Sequence, residues 1–153
     1  MKITEMLRKD CVIDVLTSAT KKDTLRELAQ VILREYPEYD DEKVVKVLLD
    51  REKLGSTGIG DGIAIPHGKL VMLDQLMVSF GRSPEGIDFN AMDGKPVHLF
   101  FLLLAPENSA GLHLKVLAKI SRMLKDPDFR MQLLQAESTE ALYKIISDKD
   151  DAC

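Results

Sequence analysis

His67 sits between Pro66 and Gly68, and both neighbours constrain what its ring can do. Proline fixes its own φ and biases Ile65 toward extended backbone, so the chain enters His67 along a stiff path. Gly68 adds no side chain and leaves space beside the ring. A rigid entrance and an open exit suit an imidazole that offers a nucleophilic nitrogen to a partner. On local chemistry alone, an ordinary surface or core histidine is the preferred reading.

Upstream runs Gly55-Ser56-Thr57-Gly58-Ile59-Gly60-Asp61-Gly62, in which four of eight residues are glycine. Such a chain adopts positive φ repeatedly and aims several backbone N–H groups at one point, the geometry of an anion-binding nest. It is not a P-loop: counted from Gly62, the step to Gly68-Lys69 is one residue too long, and Leu70 stands where Ser or Thr is needed. It is not a dinucleotide fingerprint either, because Pro66 interrupts where a helix should begin. Taken alone, the glycines also fit a plain flexible loop.

Elements that position these residues follow from periodicity. Residues 11–16 read as a short β-branched strand and 24–36 as a helix, with Leu25, Leu28, Ala29, Ile32 and Leu33 on one face and Pro37 beyond its end. A second helix is expected over 40–54, acidic in its first turn and stopped by Gly55. Residues 63–65 form a short apolar piece leading into Pro66-His67, and 76–81 read as a strand. The tract 82–96 carries turn signals at Ser83-Pro84 and Asp93-Gly94 around a short strand at 87–89. Residues 97–104 are almost continuously apolar, which marks a strand buried on both faces. Helices follow at 109–125, 127–135 and 139–147. Interleaved strands and helices around a doubly buried strand give an α/β fold, a single domain over residues 1–153. Its mixed parallel and antiparallel sheet should be flanked by helices on both faces.

Composition narrows the function classes. Of 153 residues, 45% are apolar and 30% charged, an ordinary soluble balance with enough chain for a real core. Only 5% are aromatic and none is Trp, so Leu, Ile, Val and Met must fill that core. A net charge of −4 argues against a nucleic-acid surface. No apolar run approaches the ~20 residues of a membrane span, and the opening MKITEMLRKD lacks the apolar stretch of a secretory signal. A cytoplasmic protein without membrane insertion is expected. Of the two cysteines, Cys11 opens an apolar stretch and reads as a core residue, and no spacing suggests a disulfide or zinc site. His98 opens the buried strand and is assigned to structure; a site of His67, His98 and His113 lacks a carboxylate or Cys at metal-ligand spacing, so no metal is expected.

The run from Glu52 to Gly68, with Ile59-Gly60, Ile63-Ala64-Ile65 and Pro66-His67-Gly68, resembles the active-site signature of the type 2 IIA components of the sugar phosphotransferase system. This is the fructose, mannitol and nitrogen-regulatory family, and the order and length of elements agree with it over about residues 5–148. Within the family, Arg51 to Gly60 is most similar to the nitrogen-regulatory branch. The resemblance implies phosphorylation of His67 at Nε2 by an HPr-type phosphohistidine carrier, with no metal or cofactor.

It further implies that an arginine before the glycine-rich turn and a histidine opening a later helix surround the phosphoryl group; here these are Arg51 and His113. By periodicity alone, His113 is an edge residue of the stripe carrying Leu117, Ile120 and Leu124, and Arg51 borders the apolar face of Val44 and Leu48. A guanidinium fork matches phosphate oxygens in two-point geometry, and a helix N-terminus favours negative charge. Ser56 and Thr57, with the backbone of Gly58 and Gly60, are candidate phosphate contacts, although turn chemistry accounts for the hydroxyls equally well. Three functions then compete. They are a regulatory phosphocarrier acting through target proteins, a sugar-specific component feeding a IIB domain, and a binding module that uses the fold without phosphorylation.

Overall fold

The computed structural model describes residues 1–71 and 73–153. After a 3₁₀ turn at Ile3–Glu5, the chain forms β1 (Leu7–Ile13), α1 (Lys21–Leu33) and α2 (Asp41–Glu52). Three short strands follow, β2 (Gly58–Gly60), β3 (Ile63–Ala64) and β4 (His67–Leu70), and then the two long strands β5 (Met77–Ile87) and β6 (Val97–Pro106). Helices α3 (Ala110–Leu124), α4 (Pro127–Gln135) and α5 (Thr139–Ala152) complete the order.

These elements form a six-stranded sheet in the order β1-β5-β6-β3-β2, with β4 also on β6. β6 is the axis. It is antiparallel to β5 along one edge and parallel, along the other, first to β3 (Ile63 opposite Leu99) and then to β4 (His67 opposite Leu103). Residues Leu99 to Ala105 are all buried, as the unbroken apolar run requires, and the Phe80–Phe101 and Phe89–Phe100 ring pairs pack edge-on. Each such apolar side chain contributes about 1.5–3 kcal/mol relative to exposure.

Side-chain alternation along β5 shows that helices cover both faces. Ser79 Oγ donates to Leu28 O at 2.8 Å, and Gly81 lies against Leu28, so α1 covers one face. Arg82 points the other way, donating to Leu133 O at 2.9 Å and Ala136 O at 2.6 Å, where it caps the carbonyl end of α4. The α/β sheet with mixed strand directions and helices on both faces is therefore as the sequence indicated. Among the described residues, no helix is long and apolar enough to cross a membrane.

Several boundaries differ for identifiable reasons. β1 starts at Leu7, not residue 11, because it is an edge strand whose Lys9 and Asp10 are exposed, which hides the pattern. Cys11 is buried within it, as expected. α1 starts at Lys21 because Thr20 caps it, its hydroxyl accepting from Asp23 N at 3.2 Å, although apolar periodicity begins only at Thr24-Leu25. β5 continues through Ser83-Pro84, which read as a turn. β1 ends opposite Gly81, so beyond that point proline removes no ladder bond on that side. The separate strand expected at 87–89 is the tail of β5 followed by irregular chain. β2 and β4 were not expected at all, and α5 runs to Ala152.

Candidate active site

The edge of β6 that carries β3 and β4 is interrupted at Ile65-Pro66. Proline has no N–H for a ladder, so pairing stops and resumes, with Leu103 N donating to Pro66 O at 3.0 Å. The interruption leaves the Ile65 carbonyl facing His67, whose Nδ1 lies 2.9 Å from it. A carbonyl only accepts, so Nδ1 carries the proton of the neutral ring and Nε2 keeps the lone pair.

Gly68 is buried, not an open exit. A Cβ there would stand 3.1 Å from Val47 Cγ1 and 3.3 Å from Leu48 Cδ2, so the missing side chain lets α2 pack directly on β4. That close approach brings the last turn of α2 to the imidazole. Arg51 Nε donates to His67 Nε2 at 3.3 Å, and Arg51 Nη1 donates to Gly55 O at 2.9 Å.

His113, in the first turns of α3, closes the other side. Its ring meets that of His67 edge-on, with centroids 5.2 Å apart and planes at 83°. It is only 5% exposed, and its Nε2 has no hydrogen-bond partner among the described residues. An unsatisfied buried polar atom costs roughly 1–3 kcal/mol, which makes an uncommitted nitrogen here notable. Burial pushes His113 down to about 4, helped by repulsion from His67 once that ring is protonated and from the Lys69 charge. His67 is also held below the ordinary imidazole value. Burial is the main cause; the Ile65 carbonyl opposes it, Arg51 adds to it, and Glu52 opposes it. Both rings are therefore neutral at neutral pH.

A cleft of about 470 Å³ opens over these groups. Arg51, His67, Lys69 and His113 supply its polar wall, and Val47, Leu114 and Leu117 its apolar wall. Lys69, exposed and two residues beyond His67 on β4, shares its face of the strand. Sequence reasoning missed it because β4 itself was not anticipated. A neutral nucleophilic imidazole beside a permanent cation and a second neutral imidazole suits acceptance of an anionic electrophile such as a phosphoryl group.

The glycine-rich loop does not line this cleft. Ser56 Oγ donates to Phe89 O at 2.9 Å and accepts from Gly58 N at 3.0 Å. Thr57 Oγ1 donates to Glu52 Oε2. Gly58 is packed on Ala91 and belongs to β2, and Gly60, at φ +101°, faces the carboxylate of Asp93. The four tentative phosphate contacts are thus committed to the loop's own folding: turn chemistry, not anion binding, uses those hydroxyls. His98 also lies away from the cleft, its Nδ1 2.9 Å from Ser83 O.

Residues 5–149 match the sequence profile described as "Phosphoenolpyruvate-dependent sugar phosphotransferase system, EIIA 2". The chain belongs to this family. It is 42% identical, over 96% of its own length and 95% of the other chain, to a nitrogen regulatory protein of Bradyrhizobium diazoefficiens. It is 39% identical to the fructose-specific EIIABC component of Bacillus subtilis, matching over 98% of its own length and 24% of that larger protein. The crystal structure of nitrogen regulatory protein IIA-Ntr from Neisseria meningitidis superposes with a TM-score of 0.88 at 38% identity, covering 94% of this chain and 98% of that one. Nitrogen-regulatory and sugar-specific EIIA proteins are thus both among its relatives.

Proposed function

We propose that this EIIA domain is a cytoplasmic phosphoryl carrier that accepts a phosphoryl group on His67 Nε2 from an HPr-type phosphohistidine protein. The observation that carries the reading is the Arg51–His67 contact, which holds a cation against Nε2, the nitrogen that the Ile65 carbonyl leaves unprotonated. The donor's P–N bond breaks and its imidazole keeps the electron pair, while the Nε2 lone pair forms the new N–P bond in line. Arg51 leaves the lone pair and turns to the phosphoryl oxygens, and His113 offers its free nitrogen as an N–H donor. The proton stays on Nδ1, which donates to Ile65 O throughout. Transfer of this kind depends on positioning and charge stabilisation, which these groups supply without a metal.

The nitrogen-regulatory likeness over almost the full chain supports a regulatory output: two added negative charges at the cleft change which target protein binds. Likeness to a fructose-specific component supports a second reading, in which the acceptor is a IIB domain. The test is incubation with phosphoenolpyruvate, enzyme I and an HPr-type carrier, followed by mapping of the label. Acid-labile, base-stable phosphate on His67 that disappears in His67→Ala is expected. Its persistence in His67→Ala sinks the assignment, and no labelling at all favours a non-phosphorylated binding module. Pull-downs with phosphorylated and unmodified protein then separate the outputs. Different partner sets indicate regulation; identical sets with rapid transfer to a sugar-specific IIB protein indicate transport.

A further inference from the structure

We infer that Lys21, at the first position of α1, is a positioning residue for Arg51, acting through Glu52 and the loop after α2. The inference rests on the phosphocarrier reading for its consequence but on geometry for its substance.

Glu52 ends α2 and follows Arg51 directly, yet the two side chains part. Arg51 reaches His67 in the cleft, while the Glu52 side chain, 4% exposed, turns inward. A carboxylate is retained at such depth only when paired and hydrogen-bonded. Here Oε1 receives Lys21 Nζ at 2.9 Å and Thr57 N at 3.1 Å, and Oε2 receives Thr57 Oγ1. Lys21 is itself largely covered. Its ammonium also donates to Phe89 O at 3.3 Å and lies 4.7 Å from the centre of the Phe89 ring. Ser56 Oγ binds that same carbonyl at 2.9 Å.

Lys21 therefore joins the start of α1, the end of α2, the Ser56-Thr57 turn and the Phe89 segment. A buried ion pair is a poor source of net stability, because hydrophobic replacements of similar volume often do as well. Its specific contribution is geometric. Fixing Thr57 to Glu52 closes the turn over Gly55, and Gly55 O is the acceptor that holds Arg51 Nη1 at 2.9 Å while Nε addresses His67. Without Lys21, Glu52 loses its counterion, and its carboxyl group is no longer held inward against Thr57. The turn opens, and the Gly55 carbonyl no longer fixes the guanidinium. Misplacement of a positioning group by ~1 Å is enough for about a 10²-fold loss of rate.

The test compares Lys21→Met and Lys21→Arg with the unaltered chain. The readouts are the Arg51 Nε–H signal by NMR, its protection from solvent exchange, and the rate of phosphoryl transfer to His67. Expected for Lys21→Met is a native amide spectrum, loss of the protected Arg51 Nε–H signal, and transfer slower by about ten- to a hundredfold. Lys21→Arg, which keeps the charge and an N–H donor, restores both. A folded Lys21→Met protein that keeps the protected signal, or that loses it with transfer at full rate, overturns the inference. If Lys21→Met does not fold, Thr57→Val, which removes only the hydroxyl on Glu52, is held to the same two readouts. If the unaltered chain accepts no phosphate, the carrier reading fails while the NMR comparison still decides whether Lys21 fixes Arg51.

Discussion

Arg51 Nε donates to His67 Nε2 at 3.3 Å, so the one ring nitrogen with a lone pair rests against a charge that cannot be lost near neutral pH. Burial sets most of the depression of the His67 value, and Arg51 deepens it. Replacing Arg51 with Met is expected to move the His67 titration upward, toward the ordinary imidazole range, and to slow transfer by about 10²-fold. Arg51→Lys should recover part of the charge effect but not the two-point geometry. NMR titration of the ring checks the first effect and labelling kinetics the second. An unmoved titration in Arg51→Met would show that the contact is not maintained in solution.

His113 should remain neutral down to about pH 4. Its ordinary value is 6.5, so between these limits the unfolded chain binds a proton that the folded protein refuses. This contribution to stability is present above pH 6.5 and is lost as pH falls through that window. His113→Ala should lack that part of the pH dependence, stay folded, and transfer phosphate about 10²-fold more slowly. Chemical denaturation across the pH range, with transfer rates on the same protein, provides the check.

Gly68→Ala places a methyl group 3.1 Å from Val47 Cγ1 and 3.3 Å from Leu48 Cδ2, so these side chains of α2 must give by a few tenths of an ångström. We expect a loss of about 1–3 kcal/mol, typical of overpacking, together with a weaker Arg51–His67 contact. If the loss appears in denaturation while the His67 titration is unchanged, α2 yields only at Val47 and not at Arg51.

Far from the cleft, Asp150 is fully buried, with Lys119 Nζ at 2.5 Å and Thr4 N at 3.1 Å. Burial pushes its carboxyl up, but the Lys119 bond and the N–H groups of Ile3 and Thr4 outweigh it and hold the value low. Its stabilisation is thus present above the ordinary carboxylate range and lost as pH falls below it. Asp150→Asn leaves Lys119 buried without its counterion and should cost about 3–5 kcal/mol. Transfer by the fraction still folded should be unaltered, since neither group reaches the cleft.

Of the residues that set the candidate chemistry, His67 was legible because Pro66-His67-Gly68 is contiguous and ends the signature that resembles the family's. Arg51 and His113 were indicated by that resemblance, since periodicity alone makes both edge residues of apolar helix faces. The buried run of β6 was legible because its signal is local. Short strands were not: β2 and β4 contain three and four residues, glycines among them, and exist because β3 and β6 offer partners that no local pattern reveals. Gly68 was misread because a missing side chain says only that something comes close, not that α2 does. For Ser56 and Thr57 the sequence left phosphate contact and turn chemistry equally open, because a hydroxyl beside glycines looks the same whether it faces an anion or, as Thr57 does here, Glu52. Lys21 lies 31 residues before Glu52 in the chain, beyond the reach of any periodic signal.

The interrupted edge beside β6 has a further consequence. An imidazole can be phosphorylated on either nitrogen, giving two isomers that differ in geometry. Because Pro66 ends the ladder and frees the Ile65 carbonyl for Nδ1, one of them is closed off before any donor arrives. In the proposed carrier, the regiochemistry of phosphorylation would be written into the path of the backbone, and partner proteins of different shape could exchange the group without having to specify it.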